Sequence, residues 1–144
     1  MEVLLRILKW SALIVGILVI SLLIILYTVF PKVDPAGDII IESSAEMIAR
    51  GDYLANHVAV CIDCHSTRDW SYFAGPIVPG SEGIGGEEFG KDFGFPGTFY
   101  AKNITPTGIG DWTDGELYRL ITTGVTPDWE PIFPLMPYPS YGKM

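Results

Sequence analysis

Cys61-Ile62-Asp63-Cys64-His65 is the one grouping that accounts for both cysteines of the chain. Two thiols separated by two residues and followed at once by an imidazole suit covalent attachment of haem. Each thiol can add to a porphyrin vinyl group, while the adjacent histidine ligates the iron from one side. Two other chemistries use paired cysteines. A structural zinc site asks for four ligands, and beyond these cysteines the chain offers only His57 and His65. A thioredoxin-like disulfide centre opens a helix after a strand in a βαβ pattern, whereas the residues before Cys61 carry a helical pattern. The pentad therefore points to one haem c, bound through Cys61 and Cys64 and ligated by His65.

A haem held by histidine on one face can take a methionine thioether on the other, a pairing that raises the reduction potential into a range useful for electron transfer. Met136 stands among the five prolines of Pro127–Pro139. These restrict the backbone and reduce the entropy lost in holding one side chain. Met1 precedes a long apolar run, Met47 lies on the helix before the pentad, and Met144 ends the sequence, where chains fray. Met136 is the expected second axial ligand. His57, about one helical turn before Cys61, is expected to be structural or exposed. No convincing set of catalytic base and nucleophile is present, so neither an enzyme nor a small-molecule substrate is expected.

The elements that must position these residues are few. Ser43 and Glu46 have capping-box spacing, and Met47, Gly51, Leu54, Val58 and Cys61 then recur at helical intervals on one face, aimed at the haem. Gly51 costs such a helix ~1 kcal/mol relative to Ala, so its place on the stripe suggests close approach of another backbone. From Ser66 to Thr107 the chain is dense in Gly, Pro and aromatic residues, and reads as loop whose aromatics pack on the porphyrin. The cluster Gly83-Ile84-Gly85-Gly86 lacks the spacing and the Gly-Lys-Ser/Thr ending of a nucleotide loop. Thr113 and Glu116 form a second capping box with Asp114 in the first turn, Leu117, Leu120 and Ile121 make an apolar stripe, and Gly124 is a plausible stop.

Ahead of all this, Trp10–Phe30 is uncharged and holds fourteen Leu, Ile, Val or Phe residues. As a helix it would extend ~31 Å, the thickness of a bilayer core. It is longer than the apolar region of a signal peptide and lacks a small-residue cleavage site, so a retained anchor is expected. Arg6 and Lys9 flank its start and place the amino terminus in the cytoplasm. Residues 1–9 then form a cytoplasmic end, 10–30 a single-pass inner-membrane anchor, 31–42 a linker and 43–144 a haem domain on the periplasmic side. From Pro31 onward seven Lys or Arg stand against sixteen Asp or Glu. That balance argues against nucleic-acid binding and suits redox partners with a basic docking face.

Arg50-Gly51-Asp52-Tyr53-Leu54 before the pentad and Met136-Pro137-Tyr138 after it resemble class I c-type cytochromes. More narrowly, Gly97-Thr98-Phe99-Tyr100, Asn103-Ile104-Thr105-Pro106, Trp112-Thr113-Asp114 and Met136-Pro137-Tyr138-Pro139-Ser140-Tyr141 look like the haem domains of alcohol and gluconate dehydrogenase cytochrome subunits, from about Ala45 onward. The resemblance implies a mostly α cytochrome c-like domain with long loops. It also implies Cys61 and Cys64 on the porphyrin, His65 and Met136 on the iron, and Asn103 and Trp112 at the haem edge. Those subunits carry three haem domains in tandem, whereas this sequence has one pentad. They also continue past the position of Met144 into a final helix that packs across the first and is lacking here, so either the sequence is a fragment or a partner covers that face. The expected role is a membrane-anchored mono-haem carrier between respiratory-chain components, with a terminal oxidase as a possible acceptor. A cytochrome subunit of a periplasmic dehydrogenase complex and a haem-based ligand sensor or peroxidatic protein are the alternatives.

Overall fold

A computed structural model describes residues 1–144. Helix accounts for 47% of them, so the expected mostly α class holds. The chain falls into two units, residues 1–36 with 119–143, and residues 37–118 with Met144.

In the first unit, α1 (Glu2–Val29) begins well before Trp10 and takes in Arg6 and Lys9. At 28 residues it would extend ~42 Å. It is long and apolar enough to cross a membrane, and none of its residues is buried. Residues 119–143 fold around a helix end. Gly124 (φ 75) closes α5 (Asp114–Thr123), and its carbonyl accepts a hydrogen bond from Ile132 N at 2.8 Å. Arg119 is buried, donates through Nη2 to Thr126 O at 2.6 Å, and lies over the Trp129 ring at 4.7 Å. A side chain at residue 124 would strike the Tyr138 ring, which opens the one-turn helix α6 (Tyr138–Tyr141). The proline-rich stretch that carries Met136 is thus folded back onto a glycine.

In the second unit Ser44, not the expected Ser43, caps α2 (Ala45–Tyr53), its side chain accepting from Met47 N at 3.1 Å. Glu46 sits in the first turn, where the helix dipole favours a carboxylate, but takes no capping bond there. Nor does one helix carry the stripe from Met47 to Cys61. After Tyr53 the chain widens into a π-helical turn over Leu54–Val58, closed by Ala59 N on Leu54 O at 2.8 Å, and Val60 then turns left-handed at φ 49. A β-branched residue seldom adopts that conformation. Met47 and Val58 are exposed, and nothing lies within 4 Å of a side chain built at Gly51, so the expected backbone approach at Gly51 is not made.

The cysteines occupy a fresh single turn, α3 (Cys61–Cys64). Beyond it the chain is mostly loop, as expected, with two short additions: a 3-10 turn over Lys91–Phe93, and a small sheet in which β1 (Glu88–Phe89) pairs antiparallel with β2 (Phe99–Tyr100), Glu88 opposite Tyr100 and Phe89 opposite Phe99. A short helix, α4 (Pro106–Ile109), leads to α5, whose start has the reciprocal capping box read from the sequence. Thr113 N donates to Glu116 Oε2 at 2.8 Å and Glu116 N to Thr113 Oγ1 at 3.2 Å. Thr113→Ala is expected to cost ~1 kcal/mol and Thr113→Ser much less, read as a fall in thermal midpoint.

The segment expected to be a tether, 31–42, is held at its far end. Ile41 N donates to Asp114 Oδ2 at 2.9 Å, and a side chain at Gly115 would strike the Gly37 carbonyl. A carboxylate at the start of α5 thus serves both the helix dipole and the incoming chain.

Candidate cofactor-attachment site

The backbone around the pentad is fitted to His65. Because Val60 breaks the preceding helix, Cys61 starts a new turn, and Cys61 and Cys64, three residues apart, lie on one face of it. His65 caps that turn, its N–H donating to Cys61 O at 2.9 Å. Both thiols are free, Cys61 half-buried and Cys64 more open. Burial pushes both above the ordinary thiol value, and the Asp63 carboxylate beside Cys64 adds to the shift there. Near neutral pH they stay protonated, the form that can add S–H across a carbon–carbon double bond.

The His65 ring is pinned by one hydrogen bond, with Nδ1 2.6 Å from Lys102 O. A carbonyl oxygen only accepts, so Nδ1 must carry the proton. In its neutral form the ring must then present a bare Nε2, the state a metal requires, while the bond fixes ring orientation and raises the basicity of that nitrogen. Two thiols on one turn beside an imidazole with a bare nitrogen fit a c-type haem. Zinc fits poorly, because the chain brings together no group of three or more His, Cys, Asp or Glu side chains that could hold a metal ion, and a structural zinc asks for four ligands.

Three layers of backbone hold that imidazole. Gly85 N donates to His65 O at 2.8 Å, Gly86 N to Ala101 O at 3.0 Å, and Ile104 N to Gly83 O at 2.8 Å. The segment 83–86 therefore runs between the pentad and residues 101–104. Ser66, fully buried, ties the first layer to the second: its hydroxyl donates to Ile62 O at 2.6 Å and accepts from Gly83 N at 3.1 Å. Beyond it, the Arg68 guanidinium braces the next loop, donating from Nε to Gly75 O at 2.6 Å and stacking on the Trp70 ring at 5.2 Å. Trp70 Nε1 in turn donates to the buried Glu87 carboxylate at 2.7 Å.

The structure brings Cys61, Cys64 and His65 together on one turn. Asn103 follows directly on the residue that holds His65, and its Oδ1 accepts from both Thr105 N at 2.8 Å and Thr105 Oγ1 at 2.7 Å, fixing the turn into α4. Trp112, half-buried, closes that helix through its N–H on Ile109 O at 3.1 Å. His57 is exposed and tilted against the Tyr53 ring at 5.3 Å, as expected of a residue outside the site. Met136 belongs to the other unit, where it is half-buried and its carbonyl accepts from Tyr138 N at 2.8 Å. Sequence reasoning missed the Lys102 carbonyl, Ser66 and the glycine layer. The available signal was Gly83-Ile84-Gly85-Gly86, whose glycines all have positive φ.

No family model matches the chain. Among curated proteins it is 34% identical over 103 residues to the gluconate 2-dehydrogenase cytochrome c subunit of Pantoea cypripedii, an alignment covering 69% of this chain and 20% of that one. It is 29% identical over 107 residues to the cytochrome c subunit of the quinone alcohol dehydrogenase of Gluconobacter oxydans, covering 72% and 19%. With a diheme cytochrome c-type protein of Cereibacter sphaeroides it shares 36% over 87 residues, covering 58% and 27%. The matched part of the chain spans about a fifth of the length of the dehydrogenase subunits.

Proposed function

We propose, from its likeness to the cytochrome c subunits of gluconate, alcohol and fructose dehydrogenases, its homologues over about 70% of its length, that the chain is a membrane-held cytochrome with a single haem c that carries electrons one at a time. The observation that carries the reading is the 2.6 Å bond from His65 Nδ1 to Lys102 O at the end of a Cys-x-x-Cys turn. It prepares the imidazole as an iron ligand before any metal arrives.

In this reading Cys61 and Cys64 hold the porphyrin. Each sulfur forms a bond to one vinyl carbon while the thiol hydrogen goes to the other. His65 Nε2 and Met136 Sδ would be the protein's ligands to the iron, and Asn103 and Trp112 would lie near the haem edge. Bound there, the haem supplies a one-electron iron couple. Lys102 O keeps the His65 proton on Nδ1, so the ligating nitrogen stays free of it. A porphyrin also offers apolar surface to a chain in which Val125 is the only buried hydrophobic residue.

Helix α1 would cross the inner membrane once and place the haem domain on the periplasmic side. The relatives named as dehydrogenase subunits favour a dehydrogenase as donor, and a terminal oxidase or other respiratory complex is the acceptor that we propose. The acidic balance of the exported residues suits partners with basic docking faces and an association weakened by salt. A direct test uses the purified full-length protein. Its haem should survive acid-acetone extraction, and the reduced form should not bind added carbon monoxide. Rapid carbon monoxide binding would replace this reading with ligand sensing or peroxidatic chemistry. Haem lost to the solvent would end it.

A further inference from the structure

We propose that Gly85 is a positioning residue for the axial imidazole, whose lack of a side chain is what lets the Lys102 carbonyl reach His65 Nδ1. The inference rests on His65 being the iron ligand. Gly85 has φ +86, and a side-chain carbon built there would stand 2.5 Å from Ala101 O, 2.7 Å from Lys102 C and 2.8 Å from Lys102 O. All three neighbours are backbone, so none can swing aside as a flexible side chain would. The same residue donates its N–H to His65 O at 2.8 Å. One glycine therefore touches both partners of the imidazole bond: it grips the histidine backbone on one side and lies against the accepting peptide on the other.

A methyl group at residue 85 must drive the carbonyls of Ala101 and Lys102 back by roughly half an ångström, enough to stretch the bond on His65 Nδ1 out of the strong range. A looser Nδ1–H bond makes the ligating nitrogen less basic and favours ferrous over ferric iron, so the reduction potential should rise. Ordinary backbone strain must be separated from this collision. Gly80 supplies the control, since it has nearly the same dihedral, φ +85, with nothing within 4 Å of a built side chain. Gly80→Ala has the left-handed cost without the clash.

The experiment compares full-length, haem-loaded Gly85→Ala and Gly80→Ala with the parent, reading the reduction potential and the solvent exchange of the His65 Nδ1 proton by nitrogen-15 NMR in the reduced state. Gly85→Ala should raise the potential and speed exchange by about tenfold, the size of one lost hydrogen bond, while Gly80→Ala changes neither. Equal behaviour of the two variants overturns the proposal. If Gly85→Ala fails to accumulate, native-state exchange of the parent decides. The Gly85 amide and the His65 Nδ1 proton should then open together across a denaturant series, and an Nδ1 proton that exchanges while the Gly85 amide stays protected overturns it. A parent protein without covalent haem would instead sink the cytochrome reading.

Discussion

Cys61→Ala with Cys64→Ala should leave a protein from which acid-acetone strips all haem, whereas the parent keeps its full complement in the pellet. The effect is close to all-or-none, because two carbon–sulfur bonds are replaced by whatever a half-exposed site can hold without them. Single variants sharpen the test. With either Cys61 or Cys64 alone replaced, one vinyl group remains unreacted, and the alkaline pyridine spectrum should shift to longer wavelength while the haem stays attached. His65→Ala should keep both thioether positions yet lose the histidine-ligated spectrum. The competing chemistries predict otherwise. A disulfide centre would show no haem in the parent and a change of thiol titre on reduction. A zinc site would show one metal per chain that is lost with either cysteine.

How much of the fold and the site was legible in the sequence depends on the length scale of the forces involved. The pentad is local chemistry, and so is the capping box at Thr113 and Glu116, in which each partner lies within reach of the other's amide whatever the rest of the chain does. The apolar run that becomes α1 is equally plain, because uncharged Leu, Ile and Val over twenty residues have few other uses. At the start of α2 two serines compete for the same cap. Nothing in residues 43–46 says that Ser44 wins, since the choice depends on where Ala45 enters the helix. The break at Val60 was invisible for a stronger reason. Valine is a poor candidate for φ 49, so its own preference gives no hint of the break.

The glycine layer failed for a third reason. Gly83, Gly85 and Gly86 invite a search for a phosphate loop, whose spacing they lack, but a backbone that must lie between two others needs small residues just as much. The distinction rests on hydrogen bonds from residue 85 to residue 65 and from residue 86 to residue 101, and such long-range pairings leave no periodic trace. The same applies to Ile41 and Asp114, 73 residues apart, which turn part of a supposed tether into a docked segment. Gly51 was the converse case: a small residue on a helix stripe with open space beside it.

Met136→Ala should lower the reduction potential by roughly 0.1–0.3 V, within the ~0.8 V over which axial ligands set haem potentials, and should make the reduced iron open to carbon monoxide. A thioether is a soft, neutral donor that favours ferrous iron, and water or hydroxide in its place favours ferric. Two controls separate ligation from packing. Met136→His should also lower the potential but keep the iron closed, because imidazole fills the same coordination position. Met144→Ala should leave both readouts unchanged, since that side chain is 81% exposed at the end of the described chain. If Met136 only filled space, its truncation would cost ~1–3 kcal/mol of stability, less than for a fully buried side chain, and the potential would stay where it was. A potential that falls in Met144→Ala and not in Met136→Ala would transfer the axial role to Met144. The prolines at 134, 137 and 139 argue for the first outcome, because the chain on both sides of Met136 loses little further freedom when the sulfur is fixed.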